Sequence, residues 1–377
     1  MRVWKTIIPC ALFAAAAAAT GVAQETTPPP EPTPSPTPAP APPPPSPAGQ
    51  SQTSNYFNPS IAVIGNLLAV AGHNPVENLP NLNLRESEVS LQAIVDPYAR
   101  ADIFLAFSES DVSVEEGFLT FTSLPGKFLV KAGRMRVFFG KINTLHLHVL
   151  PWADEPLPVV NLLGEDGWKG TGISIAHLIP MPADIFAELT VQAFRGESPD
   201  LFEAKRRSDL AYNAHYRMFR DLTESTNLDL GFSYAWGPNP TSTADTRRLT
   251  RLEAIDAMLR WKPLRTGSYR SASLRAELFR SRRDQPDGRQ TARGWFVSGE
   301  YQLAKRWFVG ARVESSDHPD AASERDTGQT VTLTFWPSEF SQVRGELRRR
   351  RYAGGVTANE ALLQLQFAIG AHGAHPF

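Results

Sequence analysis

From Asn55 to Phe377 the chain alternates, and an alternation of period two is the pattern that most restricts what it can fold into. In NLDLGFSYAW, Leu228, Leu230, Phe232, Tyr234 and Trp236 share one face, while Asp229, Gly231, Ser233 and Ala235 share the other. GWFVSGEYQL sets Trp295, Val297, Tyr301 and Leu303 against Ser298, Glu300 and Gln302, and TVTLTF sets Val331, Leu333 and Phe335 against Thr332 and Thr334. ALLQLQFAIG repeats the scheme close to the C-terminus, with Leu363, Leu365, Phe367 and Ile369 opposite Gln364 and Gln366. The fold is then decided by where the apolar side points.

The N-terminus narrows the choice. Arg2 and Lys5 precede an apolar run from Ile7 to Ala19 and the small residues Gly21, Val22 and Ala23, which predicts a signal peptide over 1–23 cleaved before Gln24. The run is shorter than the ~20 residues a spanning helix needs. Cys10 is the only cysteine, so the mature chain carries no disulfide. Loss of Arg2 and Lys5 takes the formal charge from −1 to −3, which argues against nucleic acid as a partner. Residues 24–54 hold thirteen prolines between Pro28 and Pro47 and predict a disordered, Pro-rich periplasmic linker. At ~3.1 Å per residue in polyproline II, its central twenty residues reach roughly 60 Å, far enough for contact with the cell wall. No apolar run beyond residue 23 suits a membrane helix, so a membrane home requires a barrel.

Strands are predicted near 58–71, 84–96, 98–109, 112–124, 126–140, 168–179, 184–195, 209–221, 226–237, 249–262, 268–281, 292–304, 305–316, 326–337, 341–352 and 359–371. That makes 55–377 an all-β, transmembrane antiparallel β-barrel of about 16 strands in the outer membrane of a Gram-negative-type bacterium. A soluble sandwich or propeller fits less well. The polar faces pair charges (Arg100 with Asp102, Arg275 with Glu277, Arg344 with Glu346), the apolar faces carry Trp or Tyr near strand ends, and no propeller-length repeat is visible.

Parity assigns the pore lining to Arg100, Asp102, Arg134, Arg136, Arg275, Glu277, Arg312, Glu314, Arg344, Glu346, Arg348 and Arg350, an almost balanced set able to set up a transverse field. Segment 141–167, rich in proline and aliphatics, breaks the alternation. Its backbone would go unsatisfied against lipid, so it is expected to fold inward as a constriction loop or plug. His146 and His148, two apart, and His372 and His375 near the end are candidate ligands for Zn²⁺ or Cu²⁺, with Asp154 or Glu155 to complete a site. Otherwise no cofactor is expected. There is no G-x-S-x-G elbow and no phosphate-cradling glycine loop, so the chain does not read as an enzyme.

The strand KFLVKAGRMRVFFGKIN, with its glycine, basic pair and Phe-Phe-Gly exit, resembles a strand of the phosphate-selective porins of the O and P type. VDPYARADIFLAFSE followed by VEEGFLTF resembles the early hairpin of the same porin-like superfamily, so the likeness spans residues 58–145. It implies a sixteen-stranded barrel, often a homotrimer, passing small polar or anionic solutes, with Arg134 and Arg136 in the place of the family's arginine zone. The lysine ladder of that family has no counterpart here, because the barrel region has few lysines. The terminal Phe377 resembles the aromatic signal read by the barrel-assembly machinery.

The expected function is therefore an outer-membrane porin for passive diffusion of small solutes, with lipid as its surroundings. The alternatives are a barrel that handles a divalent metal through its histidines and a structural tether of the outer membrane.

Overall fold

In the computed structural model, residues 59–198 and 200–370 are described. The signal-peptide and linker expectations, and those for His372, His375 and Phe377, lie outside the described residues. Sixteen strands form one closed antiparallel sheet: β1 Ser60–His73, β2 Ser87–Asp96, β3 Ala99–Phe107, β4 Val112–Phe121, β5 Phe128–Arg136, β6 Lys169–Pro180, β7 Phe186–Arg195 and β8 Leu210–Thr223 in the first half. The second half runs β9 Thr226–Pro238, β10 Leu249–Trp261, β11 Ala272–Gln285, β12 Gly288–Ala304, β13 Trp307–Asp317, β14 Arg325–Ser338, β15 Ser341–Arg351 and β16 Thr357–Gly370. Each strand pairs with the next, and β16 closes on β1 in a register running from Ala62 opposite Gly370 to His73 opposite Asn359. Closure removes every free edge, which is what allows a sheet to cross a membrane.

Parity orients the wall as the alternation predicts. On β14, Val331 and Leu333 are exposed outside while Thr330, Thr332 and Thr334 are buried inside; on β16, Leu363, Leu365 and Ile369 face out and Gln364 and Gln366 face in. Exposed aliphatics on neighbouring strands make the outer surface a continuous apolar band. Aromatic rings mark its margins. Tyr212, Tyr234 and Trp236 cluster at one, with Tyr212 and Trp236 stacked at 5.3 Å, and Trp307 stacks on Phe335 at 4.5 Å at the other. β1 begins and β16 ends on the side of the tight turns at 97–98, 224–225, 305–306 and 339–340; the opposite side carries the long connections at 74–86, 137–168, 196–209 and 239–248. In outer-membrane barrels the short turns are periplasmic and the long loops extracellular.

Three departures from the sequence reading share a cause, the segment that fills the lumen. The strand predicted over 84–96 is broken at Arg85–Glu86 into a short Leu82–Leu84 piece and β2, and Arg85 reaches inward to donate to the carbonyl of Ala153. β5, predicted to run to residue 140, ends at Arg136 because Val137 and Phe139 are buried inside the barrel. The inward segment accordingly starts four residues before 141. A further difference has another origin: β11 and β12 extend to a turn at 286–287, well past the predicted boundary at 281. The extension carries Arg282 onto the outer face beside Arg280, and both pair with Glu253.

Candidate functional site

Residues 137–168 leave the wall after β5, cross the lumen and return to β6, with one short helix, α1 Leu157–Leu163, laid against β12 and β13. The segment has its own core. Val137, Phe139, Ile142, Leu150, Trp152, Val159, Leu162 and Trp168 pack on the inward side chains Phe194, Ala211, Ala235, Leu252, Ala254, Phe279, Ala292 and Phe296 of β7 to β12. On this half of the barrel the inner wall offers an apolar seat of alanines and a few large side chains among its polar groups. Gly294 shows how close the approach is: a Cβ there would lie 2.6 Å from Pro158 and 3.1 Å from Leu162.

Polar groups fix what the apolar contacts position. A non-helical backbone buried in a barrel must have its N–H groups satisfied, and here wall side chains do so. Phe138 N–H donates to Gln192 (2.9 Å), Gly140 to Ser233 (3.0 Å), Lys141 and Ile142 both to Glu277 (3.1 and 2.8 Å), Ala153 to Glu346 (2.8 Å) and Leu157 to Glu314 (2.9 Å). Asn143 ties the two ends of the segment together, donating to the carbonyls of Val137 and Trp168 and accepting from Trp168 N–H at 2.7 Å. Asp154 is buried and gripped by Arg312 (2.7 Å), Arg348 (2.9 Å) and Arg350 (2.7 Å). Burial works against its charge, but the three guanidiniums outweigh this and hold the carboxyl well below the usual range. Arg312, fully buried, also lies 4.6 Å over the ring of Trp152 and pairs with Glu314.

The residues predicted to line the pore therefore divide. Glu277, Arg312, Glu314, Glu346, Arg348 and Arg350 do face inward, but they are buried under the inserted segment and bonded to it. Arg344 is buried between Thr334 and Gln364, and Arg275 stands 3.9 Å from Glu300. Arg100 and Asp102 pair at the edge of an open cavity. Arg134 is the correction. Lys131 and Met135 on the same strand line that cavity, so Arg134 stands on the outer side, donating to the carbonyl of Val114 and lying 3.6 Å from Glu197. Arg136, at the strand end, is buried against Glu115 (3.2 Å) and the carbonyl of Asp166.

What remains open lies on the opposite half, along β2 to β5 and β15. A cavity of about 330 Å³ towards the short-turn end is lined by Arg100, Asp102, Glu116, Lys131 and Arg136 among others. A second, about 500 Å³, towards the long-loop end, is lined by Glu77, Arg85, Glu86, Glu115, Glu155, Arg136, Arg348 and Arg350 among others. Arg136 borders both. Between their linings stands His146, whose Nδ1 contacts Glu88 at 2.5 Å and whose Nε2 contacts Glu116 at 2.6 Å. Burial disfavours its charge, yet hydrogen bonds to Glu116 and Glu88 win and raise the imidazole to about 9. His148 follows, its Nδ1 3.7 Å from the same Glu88 oxygen. Neither Asp154, committed to its arginines, nor Glu155 joins the histidines. Glu88, an inward residue of β2 that the sequence reading does not single out, does.

No family model matches the chain. A protein of Aquifex aeolicus described only as uncharacterised is 26% identical over 341 residues, covering 81% of this chain and 72% of that protein. Among solved structures, the barrel resembles the anion-selective porin of Comamonas acidovorans (12% identity, 82% of this chain and 100% of that one, TM-score 0.57). It also resembles OprB of Pseudomonas putida (11%, 84% and 94%, TM-score 0.57) and the trimer form of the Vibrio cholerae outer membrane protein OmpT (11%, 82% and 99%, TM-score 0.55). At these identities the likeness is one of fold. Joined to the closed sheet and its apolar band, it makes the chain a sixteen-stranded outer-membrane β-barrel of porin-like architecture, its lumen half filled by residues 137–168.

Proposed function

We propose that the protein is a narrow diffusion channel for small polar solutes, gated by size at the layer where His146 stands between two cavities. The observation that carries this reading is a pair of cavities left beside the inserted segment, both bordered by Arg136 and lined by charged side chains. A barrel with a purely structural role would have no need of charge-lined cavities on one half. Selectivity for anions, which the resemblance to phosphate-selective porins implies, draws less support than selectivity for cations. Arg312, Arg348 and Arg350 are neutralised by Asp154 and its neighbours, and Arg134 faces outward. In the cavity at the long-loop end, eight carboxylates (Glu77, Glu86, Asp111, Glu115, Asp154, Glu155, Glu165, Asp166) face four guanidiniums, and a cleft lined by one sign of charge concentrates counter-ions. The phosphate-selective variant, which leans on Arg134 and Arg136, is correspondingly weak. A homotrimer belongs to the same proposal, supported by the barrel's likeness to the trimer form of Vibrio cholerae OmpT.

Planar-bilayer recording on the purified barrel tests the channel. Discrete openings with a reversal potential of cationic sign in a KCl gradient are expected; absence of any conductance sinks the channel reading, and an anionic reversal potential sinks the selectivity while sparing the channel.

A further inference from the structure

We infer that Glu88, His146 and His148 form a binding site for a divalent transition-metal ion of the Zn²⁺ class, set between the linings of the two cavities. One carboxylate oxygen and one nitrogen from each imidazole lie within 4.8 Å of one another. The contacts measure 2.5 Å from Glu88 to His146 Nδ1 and 3.7 Å to His148 Nδ1, and the two rings are 5.7 Å apart between centroids. Ligand atoms at 2.0–2.1 Å from a tetrahedral ion are roughly 3.3 Å from each other. The set therefore closes on an ion with side-chain adjustments under an ångström at the Glu88 contacts. The ion replaces the proton now held between His146 and Glu88, which leaves to solvent.

Three further features point the same way. The second nitrogen of His146 is held by Glu116 at 2.6 Å, and Glu116 in turn accepts from the backbone N–H of Arg136 at 2.9 Å. This carboxylate–histidine–metal relay is what fixes the tautomer and raises the basicity of a ligating imidazole. The local charge balance suits a cation: Glu86 and Glu115 surround the same level, with Arg136 and Lys169 bonded to Glu115. The donor types are also selective. Two imidazoles and one carboxylate suit Zn²⁺, Co²⁺, Ni²⁺ or Cu²⁺, whereas Mg²⁺ and Ca²⁺ prefer all-oxygen shells. With three protein ligands a fourth position is left for water, so an ion held here remains exchangeable. Thr144 lines one cavity and Leu147 the other, so an ion on His146 and His148 stands in the path between them. The ion would lower conductance, a consequence that rests on the channel reading, whereas binding itself does not.

The test uses the full chain, folded in detergent and stripped with chelator. Titration with Co²⁺ and Zn²⁺ is expected to give one ion per chain with the visible d–d bands of a low-coordinate cobalt site, and Mg²⁺ to give none. His148→Ala and Glu88→Gln should abolish that spectrum, and Glu116→Gln should weaken binding about 10- to 100-fold while leaving the band shape unchanged. His372→Ala/His375→Ala and His177→Gln should bind as the parent does. Each variant is first checked for the heat-dependent gel mobility of a folded barrel. Failure of the folded parent to bind, or binding that survives His148→Ala and vanishes with the His372/His375 pair, overturns the proposal. In parallel bilayer recordings, micromolar Zn²⁺ should reduce current in the parent and not in His148→Ala. Binding without any measurable current would leave the site standing and overturn the channel instead.

Discussion

Asp154 carries more of the inserted segment than any other residue. A buried carboxylate shared by three arginines is stable only as a set, and removing one member strands the rest. Asp154→Ala removes the carboxylate that Arg312, Arg348 and Arg350 share and leaves Glu314, Glu77 and Glu360 to balance them, at a cost of about 3–5 kcal/mol. The expected outcome is a lower denaturation midpoint together with a larger, noisier single-channel conductance; an unchanged conductance would mean that other anchors suffice. Next to it, Glu155 behaves in the opposite sense. Burial, only partly opposed by Arg136 and Arg85 and reinforced by Asp166 and Glu86, pushes its carboxyl from 4.5 up to about 7. Because the folded state then binds the proton more tightly than the unfolded one, stability is highest below about 4.5, falls as pH rises to about 7 and is level above that. Glu155→Gln should flatten that slope, read as the midpoint of thermal unfolding against pH.

Among elements, the inserted segment shows why some of the molecule was legible in sequence and some was not. β14, β15 and β16 read correctly because one face is aliphatic and the other Thr, Gln or charged, so parity had one answer. β5 gave no such answer. Phe128, Val130 and Ala132 alternate with Leu129, Gly133 and Met135, both faces are apolar, and basic residues occur on each, so Arg134 was placed on the wrong side. The inward fold of 141–167 followed from its proline and aliphatic content, but its seat did not. That seat is written in small inward residues of β8 to β12, Ala211, Ala235, Ala254, Ala292 and Gly294, which alternation reads as merely neutral. Gly294→Leu tests this: filling the space of Pro158 and Leu162 should cost about 1–3 kcal/mol and raise amide hydrogen exchange across Leu157–Leu163, leaving the strands protected. The junction of Glu88 with His146 spans 58 residues of sequence and no periodicity encodes it.

For the whole molecule, the decisive contrast is between the two sides of one wall. Val331, at the middle of β14, is exposed on the outside next to Ala311 and Leu347, while Thr332 beside it is buried inside. Val331→Arg should cost about 2–4 kcal/mol in lipid bilayers, whereas Thr332→Ser should cost under 1 kcal/mol, both measured by reversible folding into vesicles. Equal costs would contradict the assignment of inside and outside.

The pairing of β16 with β1 also sets the order of events during biogenesis. Backbone N–H groups of the inserted segment donate to Ser233, Glu277, Glu314 and Glu346, the last of them 193 residues away from its partner, so these seats, unlike Glu88 and Glu116, do not exist when the segment itself is made. Contacts this distant in sequence fold slowly. The segment must wait, unsatisfied, until the later strands arrive, and it must be inside before the first and last strands meet. Closure of the seam is then the step that locks the interior, and a protease present during assembly would find residues 137–168 cleavable before that moment and protected after it.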